Sequence, residues 1–188
     1  MATTRQRTHF HVPGMTAKDS DQTVAILQER LVALVDLGLT LKHVHWNVVG
    51  PAFIGVHLML DPQVAAVQEM VDETAERIAT LGASPNGLAG NLVKTRSWDD
   101  YAIGRASTQA HLGALDMAYS GVVEAHREAI DKTEEIDPVT QDMLIDQSGQ
   151  LEQFHWFVRA HLETPDGNLV TDGADSEKAA AAKADKTI

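Results

Sequence analysis

The chain has no cysteine, which excludes disulfide staples, thiolate zinc sites and cysteine nucleophiles. No apolar run approaches the ~20 residues that span a bilayer. The amino-terminal stretch MATTRQRTHFHVPG lacks the apolar core of a secretory signal. These absences predict a soluble, cytoplasmic protein with no membrane association. The HExxH of zinc hydrolases is missing. The glycines between residues 82 and 90 lack the GK[ST] of a phosphate loop. Basic charge is also in deficit. Lys and Arg number 15 against 27 Asp and Glu, a net charge of −12, which argues against a uniformly basic nucleic-acid surface.

What remains is one domain's worth of chain. With 188 residues and 44% hydrophobic content it is long enough and apolar enough for a single core. Residues 1–14 are polar and end at Pro13-Gly14. Residues 165–188 open with the turn signal Pro165-Asp166-Gly167 and close on an Ala/Lys-rich segment. Both read as flexible tails, the second because it offers no apolar face to dock. The domain lies between them, over 15–164, and by itself carries a net charge of −12, the charges of the two tails cancelling.

That domain reads as all-α. Val24, Leu27, Leu31, Leu34, Gly38, Leu41 and His45 fall three and four apart, the face of one long helix stopped by Gly50-Pro51. A second pattern runs His57, Leu60, Val64, Val67, Val71, Thr74, Ile78, Leu81. Pro62 interrupts it. Either a helix begins there, with Pro at its first position, or a longer helix from about Phe53 tolerates it. The unbroken register favours the longer helix. Ser97 resembles an N-cap for a short helix reaching about Gly104. Two more long helices follow, one through Leu112, Leu115, Tyr119, Val122, His126 and Ile130, the other through Leu144, Leu151, Phe154, Val158 and Leu162. The pattern predicts a four-helix bundle with a short helix in the central connection.

The second helix carries the chemistry. His57/Asp61 and Asp72/Glu76 are i,i+4 pairs, each projecting from one side of the helix beside the apolar seam. Ionisable groups there are costly unless something pairs them. Asp61 and Asp72 lie about 16 Å apart along a helix axis. One ion with ligands at about 2 Å cannot collect both pairs from one straight helix. Either there are two unrelated sites, or two copies of the helix lie antiparallel about a two-fold axis and share two equivalent sites. His45 joins the His57 side if the first helix returns antiparallel. Imidazole and carboxylate without thiolate suit iron, manganese or zinc.

The stretch LKHVHWNVVGPAFIGVHLMLD, then DETAER and the later FHWFVRAHLE, resembles the Dps family (DNA-binding proteins from starved cells) within the ferritin-like superfamily. The resemblance runs from about Val24 to Leu162, and the spacing His-x11-His-x3-Asp-x10-Asp-x3-Glu is filled throughout. It implies a hollow dodecameric shell and a ferroxidase site between two-fold-related subunits. His45, His57, Asp61, Asp72 and Glu76 would be the iron ligands, with Trp46 beside the metal centre and zinc or manganese as surrogate ions. The implied reaction is Fe(II) oxidation by hydrogen peroxide or oxygen, with ferric mineral stored inside and DNA thereby protected. Asp142 and Asp146 resemble the acidic lining of the family's three-fold pores, although a helix N-terminus also attracts acids for its dipole. His9 and His11 resemble the accessory metal site of some relatives, or are simply tail residues. His43, two residues before His45, points away from the site on a helix. His111, His126, His155 and His161 read as structural or surface residues.

The resemblance also implies nonspecific DNA binding through the tails and a place near the nucleoid. The tails are thinly basic: Arg5 and Arg7 at one end, three lysines among acids at the other. Such contacts would be salt-sensitive and would need avidity from many copies. A nucleoid-compacting protein with a structural metal site and a bare helical scaffold are the competing readings.

Overall fold

The structure is a computed structural model describing residues 12–186. Arg5, Arg7, His9 and His11 lie outside the described residues. Helix α1 (Ala17–Asn47) starts at Thr16, whose hydroxyl oxygen accepts the Asp19 amide. Helix α2 spans Phe53–Thr80, α3 Ala89–Thr95, α4 Thr108–Thr133, α5 Pro138–Ala160 and α6 Glu177–Asp185. Ser107 caps α4 by accepting the Ala110 amide, and Pro138 occupies the first turn of α5, where no helical N–H is needed.

Helices α1, α2, α4 and α5 form the bundle, α1 against α2 and α4 against α5. Their seams meet in two apolar layers. One joins Leu34, Leu37 and Leu41 to Leu60, Val64, Val67, Leu115 and Leu151. The other joins Val24, Leu27 and Leu31 to Ile78, Leu81, Ala129 and Leu144. Helix α2 continues through Pro62, as the unbroken register required. Pro62 is exposed, so the helix loses one N–H donor on the solvent side and no core contact. A two-residue parallel pairing of β1 (Val48–Val49) with β2 (Ala106–Ser107) ties the α1–α2 turn to the start of α4. Gly50, at φ +110°, makes that turn.

Two expectations are corrected. The short helix of the central connection is α3, ending before Ser97, and residues 97–104 are not helical. Arg96 pairs with Asp36 and with Asp100, and the Trp98 indole N–H also donates to Asp36. These bonds hold the segment as a strap across α1, outweighing Ser97's preference for an N-cap.

The carboxy-terminal segment is not an undocked tail. Val170 N–H donates to the Leu162 carbonyl, folding the chain back. Helix α6, capped by Ser176, then packs on α4 with Ala180, Ala181 and Ala184 buried. Alanines suffice because Gly113 lets the helices approach closely. A Cβ built there would lie 2.7 Å from the Ala180 carbonyl oxygen.

Candidate metal centre

His45 sits in the last turn of α1 and His57 near the start of α2, so the tight turn at residues 48–52 brings them face to face. The ring centroids are 3.6 Å apart and the planes 25° from parallel. Each Nδ1 reaches the other residue's backbone: His45 to the His57 carbonyl at 3.1 Å, His57 to the His45 carbonyl at 3.0 Å. A carbonyl can only accept, so each Nδ1 carries the proton and each Nε2 keeps its lone pair for a metal. The backbone thus sets both tautomers, an orienting role often filled by carboxylates behind metal-bound histidines. Phe53 packs 4.9 Å from the His57 ring.

Asp61, one turn beyond His57, completes a group whose ligand atoms all lie within 4.8 Å of one another. Its Oδ1 stands 3.4 Å from His45 Nδ1 and accepts from Lys42 Nζ at 2.9 Å. The Lys42 hydrogen bond leads in holding the Asp61 carboxyl below its ordinary pKa, with partial burial opposing and the neighbouring His and Lys charges assisting. Lys42 was missed in the sequence, though it lies one turn before His45. Two imidazoles and one carboxylate make half of a coordination sphere, fit for a borderline cation such as iron.

Asp72 and Glu76 lie on the same helix but outside this group. Both are exposed, and among the described residues neither carboxylate holds a hydrogen bond or ion pair. Trp46 is 73% exposed. Leu39 and Trp46, seven apart on α1, share a side, as do Ile54 and Leu58 on α2, and all four project into solvent around the turn that carries the histidines. Asp142 and Asp146 are exposed near the start of α5, where Asp146 accepts weakly from Gln150.

The remaining described histidines are occupied elsewhere. His43 Nε2 bonds the Ile103 carbonyl at 2.8 Å, His111 Nδ1 lies 3.1 Å from the Tyr101 hydroxyl, and His161 Nδ1 donates to the Phe157 carbonyl. His126 is fully buried and drawn down to about 4, chiefly by burial. His155 belongs to a buried polar knot that sequence reading missed. Asp116 Oδ1 accepts from His155 Nε2 and Arg159 Nε, each at 2.7 Å, and Oδ2 accepts from Thr171 at 3.1 Å. Burial pushes the Asp116 carboxyl up, but the hydrogen bonds and charges of His155 and Arg159 overrule it and hold it at about 2. The Ser120 hydroxyl is 3.5 Å from the same His155 Nε2. A hydrolytic triad needs serine and aspartate on opposite ring nitrogens, so this knot is an anchor for the carboxy-terminal segment rather than a nucleophile.

Among the described residues no helix is long and apolar enough to cross a membrane. Residues 24–167 match the family model for a ferritin-like domain. A DNA protection during starvation protein of Mycolicibacterium smegmatis is 55% identical over 94% of this chain and 97% of its own length. The fine tangled pili major subunit of Haemophilus ducreyi is 50% identical over 84% of each chain. The solved structure of Mycobacterium smegmatis Dps superposes with a TM-score of 0.89 at 54% identity, covering 91% of this chain and 98% of the other. The protein belongs to the ferritin-like family, on its Dps branch.

Proposed function

We propose that this protein is a ferroxidase and iron store whose oxidation site is completed by a second copy of the chain. The observation that carries this reading is the His45–His57–Asp61 group, pre-oriented yet half complete, with Asp72 and Glu76 unpartnered about 16 Å further along the same helix. Antiparallel pairing of two α2 helices about a two-fold axis brings the near half of one chain to the far half of the other, twice. The exposed Trp46, Ile54 and Leu58 supply the apolar surface such a pairing buries.

Fe(II) is the substrate. The two Nε2 lone pairs and the Asp61 carboxylate bind it, and Lys42 must swing off Asp61 as the ion arrives. Carboxylates from the partner copy raise the hard anionic oxygen count, which favours Fe(III) over Fe(II) and promotes electron loss. Two Fe(II) and one hydrogen peroxide, with two protons, give two Fe(III) and two waters, so no hydroxyl radical is released. Oxygen is the alternative oxidant. The product is stored as ferric mineral inside a hollow dodecamer. Its strong negative charge attracts the cation, and Asp142 and Asp146 line inlet pores at the three-fold axes. Zinc or manganese would occupy the same ligands as surrogates.

A second, compatible reading is nonspecific DNA binding, favoured by the exposed Lys178 and Lys183 on α6 and Lys186 at its carboxy-terminal cap. Repeated on many copies, such patches bind through avidity and release in salt. Both readings place the protein in the cytoplasm, beside the nucleoid.

The test is stopped-flow absorbance of Fe(III) formation on anaerobic, Fe(II)-loaded protein mixed with peroxide or oxygenated buffer. A fast, saturable, protein-dependent signal is expected with peroxide. A rate no faster than the protein-free control overturns the ferroxidase reading. A salt-sensitive gel shift without such a signal favours the DNA reading alone.

A further inference from the structure

The chain has two tyrosines, and their hydroxyls face different groups. Tyr119 is fully buried and donates to the Gln63 side-chain oxygen at 2.7 Å. An amide oxygen is no base. Tyr101, on the strap, holds its hydroxyl 3.1 Å from His111 Nδ1 on α4, with the His111 carbonyl oxygen further off at 3.3 Å. His111 is fully buried, and burial leads in holding it below its ordinary pKa, so the ring is neutral and keeps one lone pair. Its Nε2 is enclosed and makes no close hydrogen bond, but the carbonyls of Asn47 and Gly104 attract a ring N–H. The proton therefore belongs on Nε2, which leaves the Nδ1 lone pair to the phenol.

The pair lies near the iron half-site without touching it. His43 packs edge-on against Tyr101, with ring centroids 5.8 Å apart, and Asn47 borders His111. These two residues stand two before and two after His45 on α1, on the opposite side of the helix. Tyr101 and His111 are thus about one helix width, ~10 Å, from the iron ligands. Around α4 and α6 the Tyr101 ring packs into apolar clusters that shield it.

We infer that Tyr101 and His111 form a one-electron, one-proton donor pair that quenches the radical made when peroxide meets a single Fe(II). The source of that radical rests on the ferroxidase reading. One Fe(II) breaks the O–O bond and yields Fe(III), hydroxide and a hydroxyl radical. Tyr101 gives the radical an electron, which makes a second hydroxide. Its phenolic O–H breaks, and the proton joins His111 Nδ1. The next Fe(II) returns the electron and His111 returns the proton. Two Fe(II) are oxidised per peroxide and no radical escapes, even where a site fills one ion at a time. Tyr119 cannot act in this way, because its hydroxyl faces no base.

The test is pulse radiolysis of assembled, iron-free protein, with the azide radical as one-electron oxidant. A phenoxyl absorbance is expected in the wild type and in Tyr119→Phe. It should be lost in Tyr101→Phe, which removes one hydroxyl and keeps the ring packed. Formation should be slower in deuterated water, because the proton leaves with the electron. No phenoxyl signal, an equal signal in Tyr101→Phe, or an equal rate in both solvents overturns the pair. Freeze-quench electron paramagnetic resonance then tests the quenching role, on protein given less than one Fe(II) per site and then peroxide. A tyrosyl signal that is absent from Tyr101→Phe is expected. Protein-dependent Fe(III) formation without that signal overturns the role. If Fe(III) forms no faster than without protein, the ferroxidase reading fails and the radiolysis result alone decides the pair.

Discussion

The two ends of α2 differ. At its start, His57 and Asp61 meet His45 across a tight turn, their ring tautomers set by backbone carbonyls and their carboxylate held by Lys42. Toward its end, Asp72 and Glu76 are exposed and unpartnered among the described residues. A helix is rigid, so its rise keeps the ends apart however the side chains rotate. Geometry that one chain can build is already in place at one end, and the other end carries two carboxylates that hold no partner within the described chain. The difference is what a site divided between two copies should look like in a single chain.

The largest effects come from cutting either half. Asp72→Ala with Glu76→Ala, or His57→Ala with Asp61→Ala, should each lower the rate of Fe(II) oxidation about 100-fold or more while the bundle stays helical. Mixing is sharper. Chains lacking the near half, co-assembled with chains lacking the far half, regain one intact site at each mixed pairing. Equal random mixing then restores about a quarter of wild-type activity. Two independent sites within one chain would give no recovery, and the stopped-flow amplitude decides.

Next come the apolar residues that would join the halves. Ile54→Glu or Leu58→Glu places a carboxylate where the pairing must be dry, and like charges meet across the two-fold axis. Sedimentation velocity should show the shell replaced by smaller species, with oxidation lost although every ligand remains. An assembled, active Ile54→Glu protein would mean that this face is not the one that pairs.

A lesion remote from both halves gives the contrast. Gly113→Ala puts a methyl group 2.7 Å from the Ala180 carbonyl oxygen, so α6 must shift. The cost should be about 1–3 kcal/mol of stability, as for other overpacked contacts, read as a lower melting temperature. The oxidation rate per folded chain should not change. A slowed rate would mean that the carboxy-terminal helix communicates with the site.

Much of this was readable beforehand, and the failures share one cause. Periodicity in α1 and α2 located the seam, and the His45, His57 and Asp61 spacing survives as a real cluster because those residues are joined by a short turn. Residues 97–104 misled because the bonds that decide them reach Asp36, about 60 residues away in sequence. Helix α6 was invisible to a search for large apolar faces, since alanines docked on a glycine bury little area yet pack closely. Asp116 sits in the seam of α4 as a lone acid, and its partners His155, Arg159 and Thr171 are 39, 43 and 55 residues distant. Local pattern reports what neighbours enforce. Tertiary polar pairing leaves only the oddity of a charged residue in an apolar stripe.

The smallest effect tests the near half alone. Lys42→Met removes the cation that Fe(II) must displace from Asp61, so Fe(II) should bind about two- to fivefold tighter at neutral pH in anaerobic titration, the scale of one exposed ion pair. The same change should raise the Asp61 carboxyl toward its ordinary value, since the Lys42 hydrogen bond is the leading cause of its depression. Asp61 stays ionised at neutral pH in both proteins, so the gain there reflects lost competition from lysine. As pH falls into the ordinary carboxylate range, protons occupy Asp61 earlier in the variant than in the wild type, and the gain should shrink. A carbon-detected NMR titration of the Asp61 carboxyl separates the two contributions. Equal affinity with and without Lys42 would mean that Lys42 does not compete with iron for Asp61.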